Sequence, residues 1–174
     1  KMVAMRRPGV TPDFDRTTGS LLLRLRKAAV DLGERAVLYQ GKRFKPKDEV
    51  HITVIGRALA SELVDSAGAT EIEEIAALID QTEWRYVLSN CWYHVVRGGD
   101  KPAESIIRMV ELPALAAFYS RLEAITGLAI PPRPAHVTLY TWGDHGGIGI
   151  ATWEEFDERV AGAVDPAELD TEVP

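Results

Sequence analysis

The chain has 174 residues, of which 46% are hydrophobic and 26% charged, with a net charge of −6 and a single cysteine. That length holds the core of one domain, the composition excludes a disordered chain, and the negative balance argues against a general nucleic-acid coat protein. Lone Cys91 excludes an internal disulfide and suits the cytoplasm, while no apolar run nears the roughly 20 residues of a membrane span and no secretory stretch follows the basic start.

In chain order, residues 1–16 read as irregular, with Pro8, Gly9 and Pro12. Leu21, Leu22, Leu25, Ala28, Ala29 and Leu32 recur at helical spacing and predict a helix ending at Gly33, with a strand through "LLLRL" as the alternative. "RAVLYQG" and "EVHITVIG" read as strands stopped by glycine. Thr70 and Glu73 have capping-box spacing and predict a helix over "EIEEIAALIDQ". "EWRYVLSNCWYHVVRGG" and "ESIIRMVEL" are strand-like, the first with a turn at "SN". Pro113 and Gly127 bracket a helix over "ALAAFYSRLEAIT". "PPRP" forces an extended approach to the strand "AHVTLYTW", and "GDHGGIG" is a loop. Thr152 and Glu155 repeat the capping-box spacing ahead of "WEEFDERVAG", and residues 165–174 read as a loose acidic tail. Strands and helices do not alternate as βαβ units, so the expected class is α+β, in one domain spanning 1–174.

Charge is unevenly spread. Residues 21–57 hold nine Lys and Arg against four Asp and Glu, and "GKRFKPK" runs almost into His51. Two readings stand: a solvated basic loop, or a basic rim that draws an anionic substrate toward His51.

Two of the four histidines sit in matching tetrads, His51-Ile52-Thr53-Val54 and His136-Val137-Thr138-Leu139. In a strand, His51 and Thr53 share one face while Ile52 and Val54 anchor the other; the second tetrad behaves alike. One such strand would be structural or idle most of the time. From this chain's four His, eleven Thr and 46% hydrophobics, about 0.05 tetrads of this kind are expected by chance. Two imidazoles and two hydroxyls suit phosphoryl chemistry: a neutral imidazole takes a proton, an imidazolium gives one, and hydroxyls bond the non-bridging oxygens.

The paired tetrads, in a chain of this size, resemble the two-histidine (2H) phosphoesterase superfamily, which includes RNA 2′,3′-cyclic phosphodiesterases (2′-5′ RNA ligases). The resemblance covers residues from about 20 to 160. It implies a bilobal α+β fold, with two antiparallel sheets related by a pseudo-two-fold axis around a central cleft and helices outside. It also implies chemistry without a metal or other cofactor. Carried over, His51 and His136 are the acid–base pair, with the first protonating the leaving oxygen and the second activating water. Thr53 and Thr138 are the phosphate clamps. The expected substrate is a nucleotide or RNA-end phosphodiester, a 2′,3′-cyclic phosphate foremost. A non-catalytic nucleotide or RNA-end binding module is the alternative.

Tyr140 has the strand parity of His136 and Thr138 and could stack on a base or contact a ribose; packing at the sheet edge is the other reading. Arg133, fixed among three prolines, is a candidate to approach the cleft. Arg57 shares parity with His51 but would lie about 20 Å along a straight strand. His94 reads as a sheet residue and His145 as a solvated loop residue. No short ligand spacing suggests zinc, and "GDHGGIGIAT" lacks the Lys-Ser/Thr ending of a phosphate loop. No protein partner or membrane is expected, and the chain is taken as a monomer.

Overall fold

Leu21 and Leu23 are fully buried while Leu22 and Arg24 are only partly so. This two-residue alternation makes Leu21–Leu25 a strand, and the expected helix shrinks to a 3-10 turn at Lys27–Val30. The leucine spacing fits either period, and pairing with the first His–Thr strand decides between them.

A computed structural model describes residues 10–144 and 146–171. Their strands are β1 (Thr11–Phe14), β2 (Leu21–Leu25), β3 (Val37–Tyr39), β4 (Lys42–Pro46), β5 (Val50–Ile55), β6 (Val87–Arg97), β7 (Ala103–Glu111), β8 (His136–Trp142), β9 (Val160–Val164) and β10 (Asp170–Thr171). The α-helices are α1 (Arg57–Ser66), α2 (Ala69–Gln81), α3 (Leu115–Thr126) and α4 (Trp153–Arg159). The class is α+β. Every pairing is antiparallel, and the strands join in one network, β1-β2-β5-β8-β4-β3-β10, with β7 also beside β8 and followed by β6 and β9. Where two sheets were expected there is one. Its narrowest join is between β5 and β8, where a single residue pair, Ile52 and Val137, makes the bridge.

One face of that join is core. Ile52, Val54, Val137 and Leu139 pack in a single cluster with Leu63 of α1, Ile75 and Leu78 of α2, and Phe118 and Leu122 of α3. The Tyr119 hydroxyl of α3 donates to the Val54 carbonyl at 2.5 Å, tying that helix to β5. The other face is covered farther along the sheet, where Ile148, Ile150 and Phe156 pack on Val95, Ala103 and Ile107. Between these coverings the His–Thr face stays partly open.

Both His–Thr strands shift register at the same place. β2 pairs Leu22 with Thr53 but Leu21 with Ile55, and β7 pairs Ile107 with Thr138 but Ile106 with Tyr140. Each strand therefore carries one extra residue directly after its threonine, which reverses the side-chain alternation beyond it. Ile55 thus joins Val54 in the core.

Other local expectations also change. Thr70 does not cap α2: Gly68 is its N-cap, without a side-chain hydrogen bond, and Thr70 lies inside the first turn. Thr152 does cap α4, accepting from the Glu155 amide at 3.1 Å. That helix stops at Arg159, because "VAGAV" pairs with β6 as β9. α1 carries no N-cap signal, since Gly56 stands where Ser or Thr would announce it. "KRFKP" is strand β4, not a loop. Of the two expected irregular ends, residues 11–14 form β1 and 170–171 form β10, after a 3-10 turn capped by Asp165. Residues 1–9 and 172–174 lie outside the described residues.

Candidate active site

The pairing of Ile52 with Val137 fixes the rest of the site. One residue further each way in an antiparallel register, His51 lies opposite Thr138 and Thr53 opposite His136, all four on the face away from the core. Opposed residues carry Cβ atoms about 4.5–5.5 Å apart and diagonal ones lie about 7–8 Å apart, so the two imidazoles sit on a diagonal with a hydroxyl beside each. The two tetrads, 85 positions apart in sequence, meet as one group.

His136 is only 9% exposed. Its Nδ1 lies 2.7 Å from the Pro134 carbonyl oxygen. A carbonyl only accepts, so Nδ1 carries the hydrogen and Nε2 of the neutral ring presents a lone pair. Burial pushes its pKa down to about 4, against the raising effect of that hydrogen bond; nearby Arg133 and His51 lower it further. His136 is therefore neutral at pH 7, in the tautomer a general base requires.

His51 is set differently. Its Nδ1 is buried and lies 3.5 Å from a Glu49 carboxylate oxygen, an ion-pair distance rather than a hydrogen bond. The side chain as a whole is 30% exposed, so this imidazole is less enclosed than that of His136. Desolvation lowers its pKa, Glu49 opposes this, and Lys47 and Arg24 lower it further. Glu49 itself is held by an ion pair with Arg24, whose guanidinium also donates to Asp13 at 2.7 and 2.9 Å. Arg24 stands directly opposite His51 across the β2–β5 ladder. An Asp13–Arg24–Glu49 chain thus fixes the charge beside this imidazole.

Two clefts meet at Arg133. One, of about 930 Å³, is bordered by Thr53, Gly56, Arg57 and Gly147; the other, of about 710 Å³, by Met109, Tyr119, Tyr93 and Trp153. Neither histidine lines either cleft. Arg133 Nη1 and Nη2 lie 3.0 and 3.3 Å from where a side chain on Gly56 would begin. Its Nε is buried without a protein hydrogen-bond partner, and burial lowers its pKa. Gly147, at φ +82°, lies against Thr138: a Cβ there would stand 3.5 Å from the threonine methyl and 3.7 Å from its hydroxyl. Beneath that loop the fully buried Ser105 hydroxyl also lacks a protein partner.

No family model, curated protein or solved structure matches the chain. The site stands on its own geometry.

Of the six residues singled out from sequence, His51, His136, Thr53 and Thr138 come together, and Arg133 shares the larger cleft with Thr53 and lies close enough to act on His136. Tyr140 does not. The register shift after Thr138 pairs it with Ile106, and it packs with the Phe44–Ile106 cluster on the opposite face. The parity expectation fails there, and Trp142 follows Tyr140 into the same cluster. Arg57 errs the other way: the chain turns into α1 after Ile55, which brings Arg57 to the Thr53 cleft. His94 is a buried sheet residue, its Nε2 2.6 Å from Glu104. His145 lies outside the described residues. Among the described residues no three His, Cys, Asp or Glu side chains gather as metal ligands, and no helix is long and apolar enough to cross a membrane. Sequence reading missed Glu49, Arg24 and the Pro134 carbonyl. Only Glu49, two residues before His51 and so of its parity, left a usable signal.

Proposed function

We propose that the chain is a metal-independent phosphodiesterase of the two-histidine kind, acting on a nucleotide or RNA-end phosphodiester and foremost on a 2′,3′-cyclic phosphate. The observation that carries this reading is the pairing of Ile52 with Val137, which makes two His–Thr cross-strand pairs on one face. The matching register shifts after Thr53 and Thr138 support two symmetry-related halves meeting at that pair.

In the proposed reaction His136 Nε2 takes a proton from water as the water oxygen bonds to phosphorus. His51, protonated, gives its proton to the departing ribose oxygen as the bond from phosphorus to that oxygen breaks. Thr53 and Thr138 donate to the non-bridging oxygens as negative charge builds on them. The division of labour follows the surroundings. His136 has its hydrogen tied to Pro134 and resists protonation, whereas His51 has a carboxylate at its side. The phosphate's own negative charge raises His51 when substrate is bound.

One observation favours a binding module instead: burial holds both imidazoles below 6.5, so the empty site carries little imidazolium at neutral pH. Hydrolysis of nucleoside 2′,3′-cyclic phosphates and of a short RNA with that end, in EDTA, separates the two. Turnover that survives EDTA and collapses in both His51→Ala and His136→Ala supports the enzyme. Tight binding without turnover supports the module.

A further inference from the structure

The cleft bordering Thr53 has a charge opposite to that of the chain. Among the described residues three arginines line it, Arg57, Arg97 and Arg133, against one carboxylate, Asp144, in a protein of net charge −6. Arg97 donates to Asp144 at 3.2 Å. Neither Arg57 nor Arg133 has a carboxylate within 4 Å among the described residues, and the Arg133 Nε is buried and unpaired. Arg133 is half-buried, its Nε has no protein partner, and Glu155 acts on it only from beyond ion-pair distance, so an anion bound beside it supplies the contact it lacks. The Ser61 and Thr53 side chains add hydroxyl donors on the same walls. The cleft, of about 930 Å³ and bordered by Thr53 but by neither histidine, has room for a phosphate other than the scissile one. The neighbouring 710 Å³ cleft is a poor rival for a second anion. It shares Arg133, but its other lining is mostly aromatic and aliphatic, with Ser89 and Ser120 as hydroxyls and two carboxylates, Glu111 and Glu123.

We propose that the 930 Å³ cleft seats a second phosphate of the substrate, held by Arg57 and Arg133. The preferred ligand is then a nucleotide bearing both the reacting phosphodiester and a further phosphate on the same molecule, such as a 5′-phosphate. The identity of the reacting group rests on the function proposed above; the anion site does not.

Two measurements test this. Calorimetric titration with inorganic pyrophosphate is expected to show binding to wild type and His136→Ala alike, weakened about tenfold in Arg57→Ala, as for loss of one charge-assisted contact. Steady-state kinetics are expected to show a kcat/KM at least about tenfold higher for adenosine 2′,3′-cyclic phosphate carrying a 5′-phosphate than for the same compound without it, an advantage lost in Arg57→Ala. Arg57 is exposed, so the variant should fold normally. Pyrophosphate affinity that ignores Arg57, or that depends on the histidines instead, overturns the anion site. So does equal kcat/KM for the two compounds, even though turnover would uphold the phosphodiesterase. Arg57-dependent pyrophosphate binding with no turnover of either compound upholds the anion site and sinks the phosphodiesterase.

Discussion

His136 couples the candidate chemistry to stability, and the coupling can be measured without knowing the substrate. Its pKa falls from 6.5 in an unstructured chain to about 4 in the fold. Between those values the unfolded chain binds a proton that the folded one refuses. The neutral ring's contribution to stability is therefore complete above pH 6.5 and is lost as pH falls through the folded pKa. The full loss is about 3 kcal/mol, and about 2.5 kcal/mol of it is spent by pH 4.5. His136→Gln has no proton to refuse. Carboxylates with lowered pKa, such as Glu49 and Glu104, also cost stability in acid, but they do so equally in both proteins and cancel in the comparison.

Urea unfolding at pH 7.5 and 4.5 should show wild type losing about 2–3 kcal/mol more than His136→Gln over that interval. Nuclear magnetic resonance titration of the imidazole protons should place one histidine near pH 4. Equal acid sensitivity in the two proteins, with all histidines titrating near 6.5, would refute the argument. It would mean that the ring is hydrated in the fold. In catalysis the same values set the pH profile of kcat/KM, which reports the free enzyme. The acid limb should follow His136 near pH 4 and the alkaline limb His51 below 6.5, giving an acidic optimum.

Glu49→Gln removes a group that raises the His51 pKa, so the alkaline limb of kcat/KM should move to still lower pH, read from the same profile. Thr53→Val and Thr138→Val should each lower kcat/KM about 100-fold with little change in thermal midpoint, as for loss of one donor to a developing oxyanion. Tyr140→Phe should leave kcat/KM unchanged, because the phenol faces away from the histidines; a loss like that of Thr138→Val would restore the simple parity reading. Ile52→Ala removes a fully buried side chain at the β5–β8 bridge and should cost about 2–5 kcal/mol in urea unfolding, from lost burial together with the cavity left behind.

The tetrads were legible because alternation in a strand is local: apolar Ile52 and Val137 had to face the core, which put imidazole and hydroxyl together on the other side. Leu21–Leu25 was misread because five residues with four leucines satisfy both a helical and a strand period. Only its partner strand, some 30 positions on, decides. Arg57 was misplaced because the chain turns into α1 after Ile55, and Tyr140 because β8 carries an extra residue after Thr138. An extra residue in a ladder has no sequence signature in Thr53–Ile55 or Thr138–Tyr140, yet it inverts every parity argument beyond it. The Arg24–Glu49 pair was invisible because it depends on which residue of β2 faces His51.

The repetition of the tetrad explains why the site can be built from two ordinary strands. When identical His-x-Thr-x segments run antiparallel with their central apolar residues opposed, a two-fold axis passes through that pair, and each imidazole meets the other strand's hydroxyl. Symmetry alone would give both histidines the same pKa, which suits acid–base chemistry poorly, because one must arrive protonated and the other bare. The chain breaks the equivalence outside the tetrads. Two residues before His51 stands Glu49, a carboxylate; two residues before His136 stands Pro134, whose carbonyl fixes the ring while the surrounding core withholds water. The frame supplies the pairing; the deeper burial of His136 and the carboxylate beside His51 supply the difference.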